Sequence, residues 1–203
     1  MKTHFDEHAA GGLPVVQAVV IGASAGGVEA LLTLTQGIAA GFRLPILVVL
    51  HLPEQRNSQL AQVFQSRLPI AVREARDKEA IVAGTLYFAP AGYHLSVEDD
   101  LSLSLSQEDK VFHSRPSIDI LFESAADAYG PGLAGVLLTG ANDDGARGLA
   151  RIKTFGGLTV IQNPQTAVAR AMPEAGLRLQ TPDYLLPLSE IRALLTQLER
   201  IAC

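Results

Sequence analysis

The chain has 203 residues, 48% hydrophobic and 18% charged, with a formal net charge of −5. That composition fits one globular domain with a substantial core and excludes a disordered chain. Acidic and basic residues are mixed without a basic block, which argues against nucleic-acid binding. The longest apolar runs, such as 46–50, fall well short of the roughly 18 residues that span a bilayer, so no membrane insertion is expected. The polar start carries Asp6 and Glu7 and reads as no signal peptide, which predicts a cytoplasmic protein. Cys203, the single cysteine, ends the chain; no intrachain disulfide is possible, and the residue reads as a passenger on a frayed terminus.

Residues 1–13 read as a flexible leader, and 14–203 as one domain. Val15 to Ile21 is β-branched and apolar, the pattern of a strand buried on both faces. Gly27 to Ala39 follows with helical spacing at Val28, Leu31, Leu32 and Leu34. Ile46 to Leu50 predicts a second buried strand, then a helix over 58–67 and short strands at 71–74 and 86–88. Between 94 and 106, alternating Leu95, Val97, Leu101, Leu103 and Leu105 predict an antiparallel hairpin that turns at Glu98-Asp99-Asp100.

The strand–helix alternation then resumes. A helix is expected over 118–128, a strand over 134–138, a helix over 145–155 and a strand over 158–161. A helix over 167–177 should be broken by Pro173, a short strand should follow at 184–186, and a last helix at 189–201 has Ser189 as its N-cap. This pattern predicts an α/β fold: a doubly wound, mostly parallel sheet with helices on both faces and an antiparallel hairpin added.

In open α/β sheets, ligands bind beyond the carboxyl ends of the strands. The first strand delivers Ser24 within Gly22-Ala23-Ser24-Ala25-Gly26-Gly27, and the second delivers His51, followed by Leu52-Pro53. The strand at 134–138 leads through Thr139-Gly140 to Asp143-Asp144-Gly145. A serine, a histidine and a carboxylate at one rim are the parts acyl transfer needs: a nucleophile, a base that takes its proton, and a group that fixes the imidazole tautomer.

Each residue also has a plainer reading. Ser24 can cap the helix after it, His51 can be a satisfied residue at a strand end, and Asp144 can cap the helix near Gly145. The glycine loop can also cradle an anion. It lacks the Lys-Ser/Thr ending of a P-loop, and no acidic residue closes the second strand to hold a ribose. His4, His8, His94 and His113 have no metal-ligand spacing, so neither metal nor cofactor is expected.

The segments IGASAGG at 21–27, HLP at 51–53, LYFAPAGYHL at 86–95, RPSIDILFESAA at 115–126, LLTGANDDGARG at 137–148 and Gln162 through AMPEA at 171–175 resemble, in order, the catalytic domain of the chemotaxis receptor methylesterases, the CheB family. The resemblance implies hydrolysis of γ-glutamyl methyl esters on chemoreceptors to glutamate and methanol, with deamidation of receptor glutamines as a further activity. It implies Ser24 as nucleophile, His51 as general base and acid, and Asp144 as the orienting carboxylate. Asp144 is preferred to Asp143 because the family's aspartate directly precedes a Gly-Ala pair. Backbone N–H groups near Ala25 and Ala141 are expected to bind the oxyanion.

The chain departs from the family pattern in three places. Ala141-Asn142 replaces a usual Met-Gly, and Asn142 is a risk if that position needs a positive φ. Ala25 stands where the family often has Thr. The family's usual N-terminal receiver domain has no room before Val15, so the sequence is either an excised piece or a stand-alone esterase, with a separate response-regulator receiver as a candidate partner. Methylated chemoreceptor cytoplasmic helices are the implied partner, and Tyr93 and Arg115 are candidates for touching them. Two other readings stay open: a serine hydrolase of the same fold acting on a different ester, and a non-catalytic nucleotide- or anion-binding module.

Overall fold

A computed structural model of the chain describes residues 1–5, 12–51 and 59–202. Seven parallel strands form the central sheet: β1 (Ala18–Ala23), β2 (Ile46–Leu50), β3 (Ala71–Glu74), β4 (Thr85–Phe88), β7 (Leu133–Leu137), β8 (Leu158–Gln162) and β9 (Tyr184–Leu186), in the order β3-β4-β2-β1-β7-β8-β9. All five inner strands are buried throughout, and four of them, β2, β1, β7 and β8, are accordingly nearly all Val, Ile, Leu, Ala and Gly.

Two apolar cores flank the sheet, as the doubly wound expectation requires. Helices α1 (Gly27–Thr35), α2 (Leu60–Gln65) and α6 (Leu188–Ala202) cover one face through Leu31, Leu34, Phe64, Ile191, Leu194 and Leu198. On the other face lie α3 (Ile118–Tyr129), α4 (Ala146–Thr154) and α5 (Ala171–Leu179). There the hairpin β5 (His94–Val97) and β6 (Leu103–Ser106) forms a separate two-stranded ribbon, and Leu95, Val97 and Leu103 are buried in the same core as α3.

Several boundaries differ from the sequence reading. Pro173 does not break its helix: α5 starts at Ala171, so Pro173 is its third residue, where a backbone N–H has no partner within the helix. Ser189 is not an N-cap, because α6 begins one residue earlier, directly after Pro187. The expected start of α2 at Ser58, the Leu52-Pro53 pair, Asp6, Glu7, His8 and Cys203 lie outside the described residues.

The expected leader is docked at its beginning. Lys2 runs parallel to β9, with its N–H on the Asp183 carbonyl and its carbonyl accepting from the Leu185 N–H. Phe5 is buried edge-on against Tyr184, 6.0 Å between centroids. Its backbone N–H donates to the Glu190 carboxylate at 2.7 Å. Lys2 and Phe5 precede Asp6 and Glu7 in a polar stretch, and that composition hides the bridge to β9 and the ring contact.

The topology positions the site. In the register, Ala23 pairs with Leu50, so Ser24 and His51 are the next residues out from adjacent strand ends. The His51 N–H donates to the Ala23 carbonyl, and the Ser24 N–H to the Thr139 carbonyl just past β7. Because β2 and β7 lie on opposite sides of β1, chain connections diverge at this point, the place where open α/β sheets bind ligands.

Candidate active site

Ser24 occupies the turn between β1 and α1. Gly26 takes φ 77°, a left-handed conformation that lets the chain turn sharply into the helix. Gly26, not Ser24, stands at the N-cap, and no side chain caps α1. The half-buried Ser24 makes no side-chain hydrogen bond to any other described residue. Capping is therefore not its occupation. The turn is braced from behind by Thr139, whose hydroxyl donates to the carbonyls of Ala25 (2.8 Å) and Ala169 (3.2 Å). The Thr139 N–H in turn donates to Gln162 Oε1 at 2.9 Å.

His51 lies against Asp144, with Nε2 to Oδ2 at 2.9 Å. The Asp144 carboxylate also accepts from the Ile118 N–H (2.7 Å), the Asp119 N–H (3.0 Å) and the Ser117 hydroxyl (2.9 Å). Those groups form the N-terminus of α3, whose N-cap is Ser117. Asp144 therefore satisfies orphan N–H groups of α3 and sits at the positive end of its dipole. It does not cap α4, where Gly145 is the N-cap without a side-chain bond.

Burial, complete here, works to raise the Asp144 carboxyl, but the His51 hydrogen bond, the backbone N–H donors and the His51 charge outweigh it. The group is held below the usual carboxylate range. Of the adjacent aspartates, Asp143 instead faces Arg178 at 3.2 Å.

A single wedge brings α3 this close. Ile118 is fully buried and packs on Gly22 of β1, where an added Cβ would come within 2.3 Å of Ile118 Cγ2. A side chain at position 22 would push the α3 N-terminus away from Asp144. One residue further into α3, buried Asp119 accepts from the Gly148 N–H (2.8 Å) and Arg147 (3.0 Å), tying α3 to α4. Burial pushes the Asp119 carboxyl up, and the neighbouring Asp144 charge acts in the same direction.

With Nε2 committed to Asp144, Nδ1 is the ring nitrogen left to accept a proton. Its contact is the Ser114 hydroxyl at 3.4 Å, and no hydrogen bond joins it to Ser24. Ser24 is nevertheless one strand away, and hydroxyl–imidazole bonds commonly form only once substrate is bound. The N–H groups of Ala25 and Ala141 make no hydrogen bond to any described residue, so both are open donors at the rim. Asn142 does not adopt a positive φ. Its side chain accepts from the Asp144 N–H at 3.3 Å, so it supports the loop in a way glycine cannot.

Arg115 Nη1 donates to the carbonyls of Gln107 and Glu108 at 3.0 and 2.9 Å, bracing the loop ahead of Ser114. Tyr93 is exposed in the turn before β5, and no contact joins it to Ser24, His51 or Asp144. Sequence reasoning passed over Ser114, Ser117 and Thr139. A serine directly before an apolar helical run, with Asp119 in the first turn, is an N-cap signal that points to Ser117. Nothing local marks the other two.

The chain matches the family model described as CheB methylesterase over residues 19–195. It is 41% identical over 184 residues to a Leptospira interrogans protein named "Putative protein-glutamate methylesterase/protein-glutamine glutaminase", covering 91% of this chain and 95% of that one. An Anaeromyxobacter dehalogenans protein-glutamate methylesterase/protein-glutamine glutaminase is 40% identical over 185 residues, 91% of this chain and 54% of the relative. The crystal structure of the Thermotoga maritima CheB methylesterase catalytic domain superposes with a TM-score of 0.85 at 32% identity, covering 90% of this chain and 98% of that structure.

Proposed function

The chain belongs to the CheB methylesterase family, and from that premise we propose that it hydrolyses protein γ-glutamyl methyl esters to glutamate and methanol, with Ser24, His51 and Asp144 as its triad. The observation that carries the residue assignment is the 2.9 Å contact between His51 Nε2 and a buried Asp144, whose carboxyl His51 and the α3 N-terminus together hold below the usual range. We read residues 14–203 as one catalytic domain that needs no cofactor, working on the cytoplasmic helices of a methylated chemoreceptor. The double naming of the relatives supports glutamine deamidation as a second activity of the same site.

In this mechanism Ser24 Oγ attacks the ester carbonyl while His51 Nδ1 takes its proton. The resulting oxyanion accepts from the open N–H groups of Ala25 and Ala141. Asp144 holds the ring by Nε2 and stabilises the imidazolium as it forms. The imidazole is thus turned over relative to the serine-protease arrangement, where Nε2 faces the serine. His51 then gives its proton to the departing methoxide oxygen. In the second half, water loses a proton to His51 Nδ1, attacks the glutamyl-serine ester, and releases glutamate with the Ser24 hydroxyl restored.

Among the described residues, the turn at Ser24 carries the small side chains of Ala25 and, across from it, Ala141, and the 79% exposed Val168 packs over Gly26. A small alcohol needs no deep leaving-group pocket, which agrees with a methyl ester. The test is methanol release from methyl-esterified chemoreceptor. Release by this protein supports the reading. No release, alongside Ser24-dependent turnover of small synthetic esters, would keep the triad and reject the substrate. Absence of both activities would reject the enzyme.

A further inference from the structure

We propose that His94 is a positioning residue for the hydrolysis assigned above, acting on His51 through Ser117 and Asp144. The inference rests on that assignment for its catalytic meaning but on separate observations for its geometry. His94 opens β5 and has no exposed surface, so both ring nitrogens must find partners inside the protein. Nδ1 accepts from the Ser117 N–H at 3.1 Å, and Nε2 donates to the Asp109 carbonyl at 3.1 Å. A backbone N–H only donates and a carbonyl only accepts, so these partners dictate the tautomer: hydrogen on Nε2, Nδ1 bare.

The first of these bonds fixes the N-cap of α3. Ser117 is fully buried, and its N–H would be an unsatisfied donor without the His94 ring. With its backbone held, the Ser117 hydroxyl donates to Asp144 Oδ1 at 2.9 Å, and Asp144 Oδ2 accepts from His51 Nε2 at 2.9 Å. The second bond anchors the segment from β6 to α3 that brings Ser114 to His51 Nδ1 at 3.4 Å. One buried ring therefore braces both sides of the base while touching no reacting atom.

Two amide replacements separate the two bonds. In His94→Asn, the amide oxygen falls where Nδ1 was and keeps the acceptor for Ser117. In His94→Gln, the amide reaches towards Asp109 and leaves the Ser117 N–H unpartnered. The Asn variant should keep kcat within about threefold. The Gln variant should lose about 10- to 100-fold in kcat, the rate equivalent of one unsatisfied buried donor, with KM within about twofold because His94 meets no substrate.

The direct readout is the downfield proton resonance of His51 Nε2–H in protein labelled with ¹⁵N-histidine, recorded without substrate. It should hold its position in His94→Asn and shift or broaden in His94→Gln. Ser117→Ala, the milder change, should shift it too and lower kcat. Asn and Gln variants that behave alike would overturn the proposal, as would a Ser117→Ala protein with an unmoved resonance and full kcat. If the Gln variant does not fold, His94→Asn decides together with Ser117→Ala: a displaced resonance and a lowered kcat in the Asn variant, which keeps the acceptor for the Ser117 N–H, would overturn the proposal. Should the unaltered protein release no methanol, the esterase assignment fails, while the resonance still decides whether His94 positions His51.

Discussion

The two sides of His51 are built in opposite ways. On the Nε2 side, Asp144 is fully buried and accepts from His51, Ser117, Ile118 and Asp119, three of those donors coming from one helix terminus. On the side that the proposed mechanism assigns to Nδ1, Ser24 is half-buried on a glycine turn, its hydroxyl without a partner among the described residues, beside open N–H groups. Interactions that must hold throughout a catalytic cycle are built into the core, and those that form only with substrate are left open to it. Preorganisation of this kind avoids reorganisation during the reaction.

The comparison breaks most visibly at the open side. Ser24→Ala should reduce kcat for ester hydrolysis by on the order of 10⁶-fold, read by methanol release, while leaving Tm nearly unchanged because the hydroxyl has no hydrogen-bond partner among the described residues. A Tm that falls by many degrees would mean that Ser24 is structural after all.

On the closed side, Asp144→Asn should cost about 10⁴-fold in kcat, since an amide no longer holds the required tautomer. Here stability falls as well. The Asp144 carboxyl is depressed in the folded state, so its contribution is present above the ordinary carboxylate range and is lost as pH falls through the lower folded value. Urea unfolding across acidic to neutral pH should show the gap between the native and Asn proteins largest at neutral pH and shrinking towards acid. A gap independent of pH would contradict the charge argument.

Gly22→Ala tests how the closed side is assembled. The new methyl meets Ile118, which must move the α3 N-terminus, and overpacking of this kind costs about 1–3 kcal/mol. Thermal unfolding measures the loss, and kcat should fall with it because Asp144 loses its donors. Unchanged kcat would separate α3 placement from catalysis. The smallest effect belongs to Ser114→Ala. Its 3.4 Å contact with His51 Nδ1 is long, and kcat should stay within about threefold. A loss comparable to that of Ser24→Ala would make Ser114 the residue that matters on Nδ1.

Much of this was legible before any coordinates. Continuous Val, Ile and Leu runs marked strands buried on both faces, and the rule that parallel sheets bind ligands at their carboxyl ends directed attention to Ser24, His51 and the 143–145 loop. Choosing Asp144 over Asp143 required the family pattern, because spacing alone leaves both at the rim. The helix terminus that holds Asp144 was hidden for a different reason: Ser117 and Asp144 are 27 residues apart, and their bond depends on Gly22 admitting Ile118. His94 was read only as a histidine without metal spacing, since nothing in its neighbourhood announces that both nitrogens are bonded. Arg115 is marked by its place in a motif, and nothing local shows that its Nη1 donates to two nearby carbonyls.

In the proposed mechanism Ser24, and no other hydroxyl at His51, is the activated nucleophile. The most direct test is labelling with a fluorophosphonate, followed by peptide mapping of the native protein and Asp144→Asn by mass spectrometry. One phosphonate on Ser24 is expected in the native protein, with strongly slowed labelling in the Asn variant. Label on Ser114, or equal labelling of Ser24 in both proteins, would contradict it.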